Sequence, residues 1–424
     1  MLTYEQALAC ILKAAPAPRI VMVRLAEALG LILARPIGAG CHLPQFDNSA
    51  VDGYAIRLHD IPEAMPGHEF DVILRIVGNA EAGRPFRRAV RTGEAVRILT
   101  GAQMPRGADT VVMQEHVIRR DHQLVIQRRP TLGQHIRRRG EDLRQGTRIL
   151  KAGLLLRPQE LGLLAAVGIA QVPVYPRPSV AILTSGDELM SPGTRLKPGQ
   201  IYESNGLLLR ALVQQTGARA IDLGTARDTV PALIRKVRRG LEYDLLVISG
   251  GVSVGDKDLV RQAAQRCGVQ QILWQVNIKP GMPLFVGTHR SAGLTGAAGK
   301  SLVFGLPGNP VSVFVTFEEF VKPAIYRLMG RQWQDQYTEP AVLIEDLQVS
   351  RARRTHFLRV RCSQHRQLVA EPLDGQGSHR LRSLVEADGW IRMNVEQGPW
   401  SAGAQVFVKP TALPVFHVEP QVAG

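Results

Sequence analysis

The sequence predicts an α/β protein with added β-rich parts. A mostly parallel α/β domain is preceded by a β-rich inserted domain inside a split module and followed by a small β barrel or sandwich. Three observations carry this. From 179 to 330, short apolar runs alternate with helical patterns, and each run ends in a turn of Gly, Asp or Asn. From 70 to 127, and again after 331, strand-like runs follow one another with turn residues between them. A proline-rich stretch at 172–178, VPVYPRP, separates the two regimes.

Residues 3–15 have helical spacing (Leu8, Ile11, Leu12) and stop before Pro16; residues 21–34 repeat it (Val23, Leu25, Leu29, Leu31) up to Pro36. The segment 43–57, LPQFDNSAVDGYAIR, sets Asp47, Asn48 and Asp52 among turn formers, which alone reads as an Asx turn. The runs FDVILRIVG, AVRILTG, ADTVVMQEHVI and QLVIQ then predict strands, with Thr100-Gly101 directly after one of them. Polar turns around Glu141-Asp142 return the chain to a helix at 158–167. The expected organisation is therefore a module from 1–45 and 140–175, split by a β-rich domain at 46–139, then an α/β domain at 176–330 and a β domain at 331–424.

Within the α/β domain, strand 179–184 precedes Gly186-Asp187-Glu188, and a helix fits 204–216. Strand 218–225 precedes Arg227-Asp228 and a helix at 229–239. The stretch 244–258, DLLVISGGVSVGDKD, runs from a buried apolar strand into Gly250, Gly251, Ser253 and Gly255, with Asp256 and Asp258 opening a helix. Strand 271–278 precedes Lys279-Pro280-Gly281, and strand 301–306 precedes Pro307-Gly308-Asn309 and a helix to about Met329. Each turn alone is an ordinary βα connection with an acidic helix start. Together, Glu188, Asp228, Asp256, Asp258, Lys279 and Asn309 all follow strands, and in an open parallel sheet those ends share the edge where ligands bind. Glycines let backbone N–H groups approach a phosphate without a Cβ in the way, and carboxylates beside them suit a hard cation held on oxygens.

The totals exclude several classes. Hydrophobic residues are 45% and charged residues 21% of 424, a folded composition, and no apolar run reaches the ~18 residues of a membrane helix. The N-terminus lacks the basic segment of a signal peptide, and four scattered cysteines argue against a disulfide framework or zinc site and fit a reducing cytoplasm. The net charge of +15 comes without a nucleic-acid motif and with only 5% aromatics, so basic faces and attraction for a small anionic substrate are the preferred reading. Gly299-Lys300-Ser301 looks like the end of a P-loop, but the first glycine is at 293 rather than 294 and a strand follows, which excludes an NTPase. In the last domain, Gly375–His379 is a Gly/Ser turn with room for an anion, and Arg359 lies on an alternating strand; either alone reads as ordinary surface.

The set FDNSAVDGYA, RILTG, GED, LTSGDEL, SGGVSVGDKD, IKPGMP and LPGNPVS, in this order over essentially the whole chain, resembles the molybdopterin molybdenumtransferase family and the similar E domain of gephyrin. The resemblance implies a four-part subunit and a homodimer with its active site between subunits. It implies a Mg²⁺-dependent reaction of adenylylated molybdopterin with molybdate that releases AMP, the nucleotide substrate coming from a molybdopterin adenylyltransferase. On that reading Glu188, Asp228, Asp256 and Asp258 bind metal or place water, Gly250, Gly251, Ser253 and Gly255 cradle phosphate, and Lys279 supplies positive charge. Asp52, Thr100 and Asp142 match family positions expected to reach the site from the partner subunit, and Asn309, Arg359 and Ser378 match substrate-contacting positions. The family's KPGKP reads KPGMP here, with Met282 for the second lysine, and Gln275 stands where a basic residue is common. These losses keep a non-catalytic dimeric scaffold as an alternative. A molybdopterin adenylyltransferase is disfavoured because the additional modules belong to the insertion family.

Overall fold

The computed structural model describes residues 1–63, 71–251, 258–290, 299–347, 354–364, 367–394 and 400–411. The chain forms two compact units, Met22–Leu29 with Arg35–Pro173, and Met1–Val21, Gly30–Ala34 with Val174–Gly424. Among the described residues no helix is long and apolar enough to cross a membrane.

The first unit is built on a six-stranded sheet ordered Thr110–Met113, Gly53–Ile56, Glu94–Ile98, Val72–Ala80, Gln123–Ile126, Val117–Arg120. Both faces are covered: Tyr54, Ile56, Leu74, Val112, Leu124 and Ile126 pack on one side, and Ala55, Ala80, Val96, Ile98 and Val111 on the other. Gly53 is required where two strands meet closely, since a Cβ there would fall 2.0 Å from the Val112 carbonyl oxygen. The segments flanking the sheet pair with each other, Ile37–Gly38 with Arg148–Leu150 and Leu43 with Leu143, so the chain leaves and re-enters at one place. Glu94 is buried beneath Arg75 and Arg88. The Arg88 hydrogen bonds and the Arg91 N–H hold its carboxyl down at about 2.

Two expectations about the N-terminus fail. Residues 21–34 are not a helix: Val21–Arg24 is extended, Leu25–Glu27 is one 3₁₀ turn and Ile32–Leu33 is a strand. Gly30, at φ +74°, ends any helical run, and the apolar spacing that mimicked a helix serves two short extended pieces. Helix α1 (Tyr4–Ala14), started by a Thr3–Gln6 capping box, does form. Its buried stripe Tyr4, Ala7, Ile11 packs into the α/β core instead of against 140–175.

The second unit contains β1 (Ser179–Ser185), α2 (Asn205–Gln215), β2 (Arg219–Ala226), α3 (Val230–Gly240), β3 (Leu245–Ser249), α4 (Leu259–Arg266), β4 (Gln270–Trp274), β5 (Phe285–Arg290) and β6 (Lys300–Leu306). The sheet order is β2-β1-β3-β6-β5-β4. The first four strands are parallel, with Val247 of β3 beside Ile182 of β1 and Phe304 of β6, and every residue of β3 is buried. β5 and β4 add an antiparallel edge, so the winding is mixed there; β4 still runs in the same sense as β6. After β6, α5 (Pro310–Thr316) passes through a π-helical stretch, Phe317–Val321, into α6 (Lys322–Leu328). Pro323 has no N–H to give, and its ring would press on the carbonyl of residue 319, which accounts for the widened turn just before it.

The C-terminal strands β7 (Glu339–Leu343), β8 (Thr355–Gln364), β9 (Leu368–Pro372), β10 (Gly389–Met393) and β11 (Gln405–Pro410) close on themselves in the order β8-β9-β7-β11-β10-β8, a five-stranded barrel. Ala341, Val360, Ala370, Ile391, Val406 and Val408 fill it. The barrel is tied to the α/β domain by buried charge. Lys409 Nζ, on β11, lies 2.8 Å from Glu319 Oε1 and 3.0 Å from Glu318 Oε2. Lys322 Nζ reaches Glu318 Oε2 at 2.8 Å, and the hydroxyls of Tyr4 and Tyr337 donate to Glu319 at 2.9 and 3.2 Å. Burial would raise the Glu318 carboxyl, but the two lysines outweigh it and keep the group below its ordinary value.

Replacing Lys409 by Met leaves the buried Glu319 carboxylate with two tyrosine hydroxyls and without its cation. Lys409→Met should cost about 3 kcal/mol or more in chemical denaturation, and pairing it with Glu319→Gln should recover part of that loss. In the first unit, Glu94 titrates near 2 when folded and near 4.5 when unfolded, so its contribution is complete above the unfolded value and lost as pH falls toward the folded one. Unfolding followed between pH 4.5 and 2 should therefore depend less on pH in Glu94→Gln than in the parent chain.

Candidate active site

The carboxyl ends of β1, β2, β3 and β6 meet in one hydrogen-bonded rim. Ser185, at the end of β1, is buried, and its Oγ donates to Asp228 Oδ1 at 2.5 Å. Asp228 follows β2, and its N–H donates to Asp187 Oδ1 at 3.3 Å, joining the first two turns. Gly250, after β3, donates its N–H to the Leu306 carbonyl of β6 at 3.3 Å. Asn205, opening α2, spans the third and fourth turns through Nδ2, 3.1 Å from Ser249 Oγ and 2.7 Å from the Gly308 carbonyl. β1, β3 and β6 deliver their turn residues because their apolar runs are buried in register with one another, and β2 pairs in parallel at their edge.

The glycines are required by close approach. Gly250 has φ +90°, and a Cβ there would fall 2.3 Å from the Ser185 carbonyl oxygen; Gly251 has φ +65°. The Glu188 carboxylate folds over Gly186, where a Cβ would fall 2.8 Å from Oε2. Among the described residues, no donor reaches Glu188 or Asp228 Oδ2, so carboxylate oxygens stay open at the rim beside the Gly250–Gly251 backbone. Among the described residues, no three carboxylate, histidine or cysteine side chains gather as a closed metal cage. The open set instead suits a cation that keeps waters and takes one or two protein carboxylates.

Ser253, Gly255 and Asp256 lie outside the described residues. Asp258 is present but occupied: it is 2% exposed, caps α4 by accepting the Arg261 N–H at 3.1 Å, and pairs with Arg261 Nε at 3.2 Å. Burial raises its carboxyl above the usual range. Asn309 precedes α5, and its Nδ2 donates to Ser378 Oγ at 2.9 Å, while the Val311 N–H donates to the Ser378 carbonyl at 3.1 Å. The Gly375–Ser378 loop of the barrel region is thereby docked on the rim. Arg359 lies under that loop, 1% exposed. Its guanidinium donates to Ser383 Oγ at 2.8 Å, Gln376 Oε1 at 3.2 Å and the Gly377 carbonyl at 3.3 Å. Burial lowers it to about 10. Its direct partners are therefore the loop itself.

Lys279 is exposed on a two-residue strand, Ile278–Lys279, that pairs in parallel with Thr355 and His356 of β8. The following turn presses on the end of α5, where a Cβ at Gly281 would fall 2.7 Å from Thr316 Cγ2. Among the described residues, no hydrogen bond or ion pair links Lys279 to the rim carboxylates. Asp52, Thr100 and Asp142 belong to the first unit. Asp52 Oδ1 accepts both the Thr100 N–H and its hydroxyl, each at 2.7 Å, and the backbone bond chiefly holds its carboxyl below the ordinary range. Asp142 is exposed. Ser185 and Asn205 were not anticipated from the sequence; the only available signal was a polar residue at a strand end and at a helix start.

A mixed α/β sheet with glycine turns and carboxylates at the carboxyl edge of its parallel strands, joined to a C-terminal barrel, defines an α/β protein whose candidate ligand site lies at that edge. Three family models account for nearly all of the chain: the MoeA N-terminal region (domain I and II) over 2–168, a probable molybdopterin binding domain over 181–327, and the MoeA C-terminal region (domain IV) over 345–411. The molybdopterin molybdenumtransferase of Haemophilus influenzae is 35% identical over 416 residues, 97% of this chain and 98% of that protein. That of Bacillus subtilis is 33% identical over 87% of this chain and 84% of the relative. The crystal structure of the molybdopterin biosynthesis MoeA protein from Pyrococcus horikoshii superposes with a TM-score of 0.79 at 30% identity, covering 97% of this chain and 99% of that one. The chain belongs to the MoeA family of molybdopterin molybdenumtransferases, transferases of molybdenum cofactor biosynthesis.

Gly250→Ala should disturb the rim by both strain and contact. It is expected to cost about 2 kcal/mol or more by urea denaturation. Gly193→Ala, at φ +89° but with nothing within 4 Å, should cost about half as much or less.

Proposed function

We propose that this rim performs Mg²⁺-dependent transfer of molybdenum from molybdate to adenylylated molybdopterin, with release of AMP. The observation that carries the reading is the pair of open carboxylates, Glu188 and Asp228, beside the Gly250–Gly251 turn at one sheet edge. A phosphoanhydride is cleaved when its oxygens are neutralised and a water is placed in line with the leaving group. The Gly251 N–H faces no carbonyl among the described residues and is free to donate to a phosphate oxygen.

Glu188 and Asp228 fit Mg²⁺ as its one or two protein carboxylates, and a bound Mg²⁺ would neutralise phosphate charge. Ser185 fixes the Asp228 carboxylate so that its second oxygen points outward or orients the attacking water. Lys279 supplies positive charge to molybdate or to the pterin phosphate, and Asn309 and Ser378 supply neutral donors. Arg359 works through the Gly375–Ser378 loop, holding Ser378 in place. Asp258 supports the turn as the α4 cap. Asp52, Thr100 and Asp142 complete the site from the partner subunit of a homodimer in the cytoplasm, and a molybdopterin adenylyltransferase supplies the nucleotide intermediate.

The test is AMP release from purified protein given adenylylated molybdopterin, Mg²⁺ and molybdate. Asp228→Ala should lower the rate about 10²–10³-fold without loss of fold, measured by circular dichroism. If the parent chain releases no AMP yet binds the substrate, the non-catalytic scaffold takes its place, in keeping with Gln275 and Met282 at the two positions that lack positive charge.

A further inference from the structure

A second cavity, of about 650 Å³, lies where the π-helical stretch faces the barrel. Its volume is within the range of small-molecule sites. Phe314 and Trp390 form one wall as a stacked pair, with ring centroids 5.3 Å apart and planes inclined by 15°. Tyr337, Glu318, Lys322 and Lys409 also line it. It stands apart from the rim: Asn309 precedes α5, and nine residues of helical rise place Glu318 about 13 Å further along.

The polar wall is specific in what it leaves open. Glu318, Glu319, Lys322 and Lys409 balance to no net charge, so nothing draws in an ion, and inserting one would break the balance. Both lysines engage Glu318 through the same oxygen, Oε2, at 2.8 and 3.0 Å. Among the described residues, no donor reaches Glu318 Oε1. The side chain is only 10% exposed, and an ionised carboxylate oxygen there accepts readily from a donor that enters the cavity. Adjacent residues of a regular α-helix diverge by about 100°. Here the widened turn aims both Glu318 and Glu319 at Lys409, an irregularity of the kind concentrated at functional sites.

We propose that this cavity binds a neutral, planar N-heteroaromatic molecule of nucleobase or nucleoside size. Its ring lies along the Phe314–Trp390 wall, and a ring or exocyclic N–H donates to Glu318 Oε1. Flat apolar surface and a single strong acceptor, with no net charge, are what such a ligand complements. The site does not depend on the reaction assigned to the rim.

The probe is 2-aminopurine riboside, which is neutral, carries N–H donors and changes fluorescence on stacking. Titrated into the full chain, it should bind saturably at one equivalent. Glu318→Gln should weaken binding at least tenfold. Gln215→Trp, at an exposed position of the cavity wall, should do the same by obstruction while leaving the ion cluster intact, and so covers the case in which Glu318→Gln does not fold. Asp228→Ala should leave binding unchanged. No saturable binding at millimolar probe, binding that survives both cavity substitutions, or binding lost in Asp228→Ala would each overturn the proposal; the last would place the probe at the rim.

Discussion

The arrangement of the second unit rests on Lys409 between Glu318 and Glu319. A small five-stranded barrel has little apolar surface with which to fix itself against a neighbouring domain, and its core is nine buried residues, several of them alanine or valine. Burying two carboxylates and two ammonium groups is costly in itself, and such clusters do not add stability in general. What they add is direction. Lys409 satisfies both carboxylates only in one placement of β11 against the π-helical stretch. That placement sets the Gly375–Ser378 loop over the start of α5, where Ser378 meets Asn309 and the Val311 N–H. The geometry of the barrel's contribution to the rim is thus determined by charges remote from it.

Arg359 repeats the principle on a smaller scale. A buried guanidinium with no carboxylate partner among the described residues needs several acceptors, and the carbonyls and side chains of 375–383 supply them. The loop is held both through its Gly377 carbonyl and through the Gln376 side chain, which accepts from Arg359 and donates to the Arg359 and Leu373 carbonyls. A lysine, with one nitrogen in place of a fork, has no equivalent way of reaching Gln376, Gly377 and Ser383 together.

The α/β domain was legible in the sequence because three of its strands, β1, β3 and β6, are almost wholly buried. Runs such as LLVIS admit few other readings, and the turns that follow them carry glycines that only a close approach explains. That the last domain is a barrel or a sandwich was legible from strand spacing; its closure came only with the pairing of β8 and β10. β5, which alone runs against its neighbours, was not read as a strand, because its six residues include Gly287, His289 and Arg290 and follow a turn-rich segment. Residues 21–34 were misread because Val23, Leu25, Leu29 and Leu31 match a helical period, and only Gly30 spoke against it. The stripe on α1 announced a buried face without naming what would bury it. Asn205, Ser185 and Lys409 escaped notice for one shared reason. A single polar residue in an ordinary segment leaves no pattern, and its role appears only when residues remote in sequence come within hydrogen-bonding distance.

The π-helical turn has a consequence for how this family can change length. A widened turn holds one residue more than the regular helix would. Deleting a residue of Phe317–Val321 would remove the extra residue, yet Pro323 would still lack an N–H to give, so α5 and α6 would meet at a broken hydrogen bond and not as one regular helix. A deletion that removed Glu318 or Glu319 would also take away one of the two carboxylates that Lys409 joins, undoing the seat of the barrel. Drift in chain length is therefore tolerated poorly at this point.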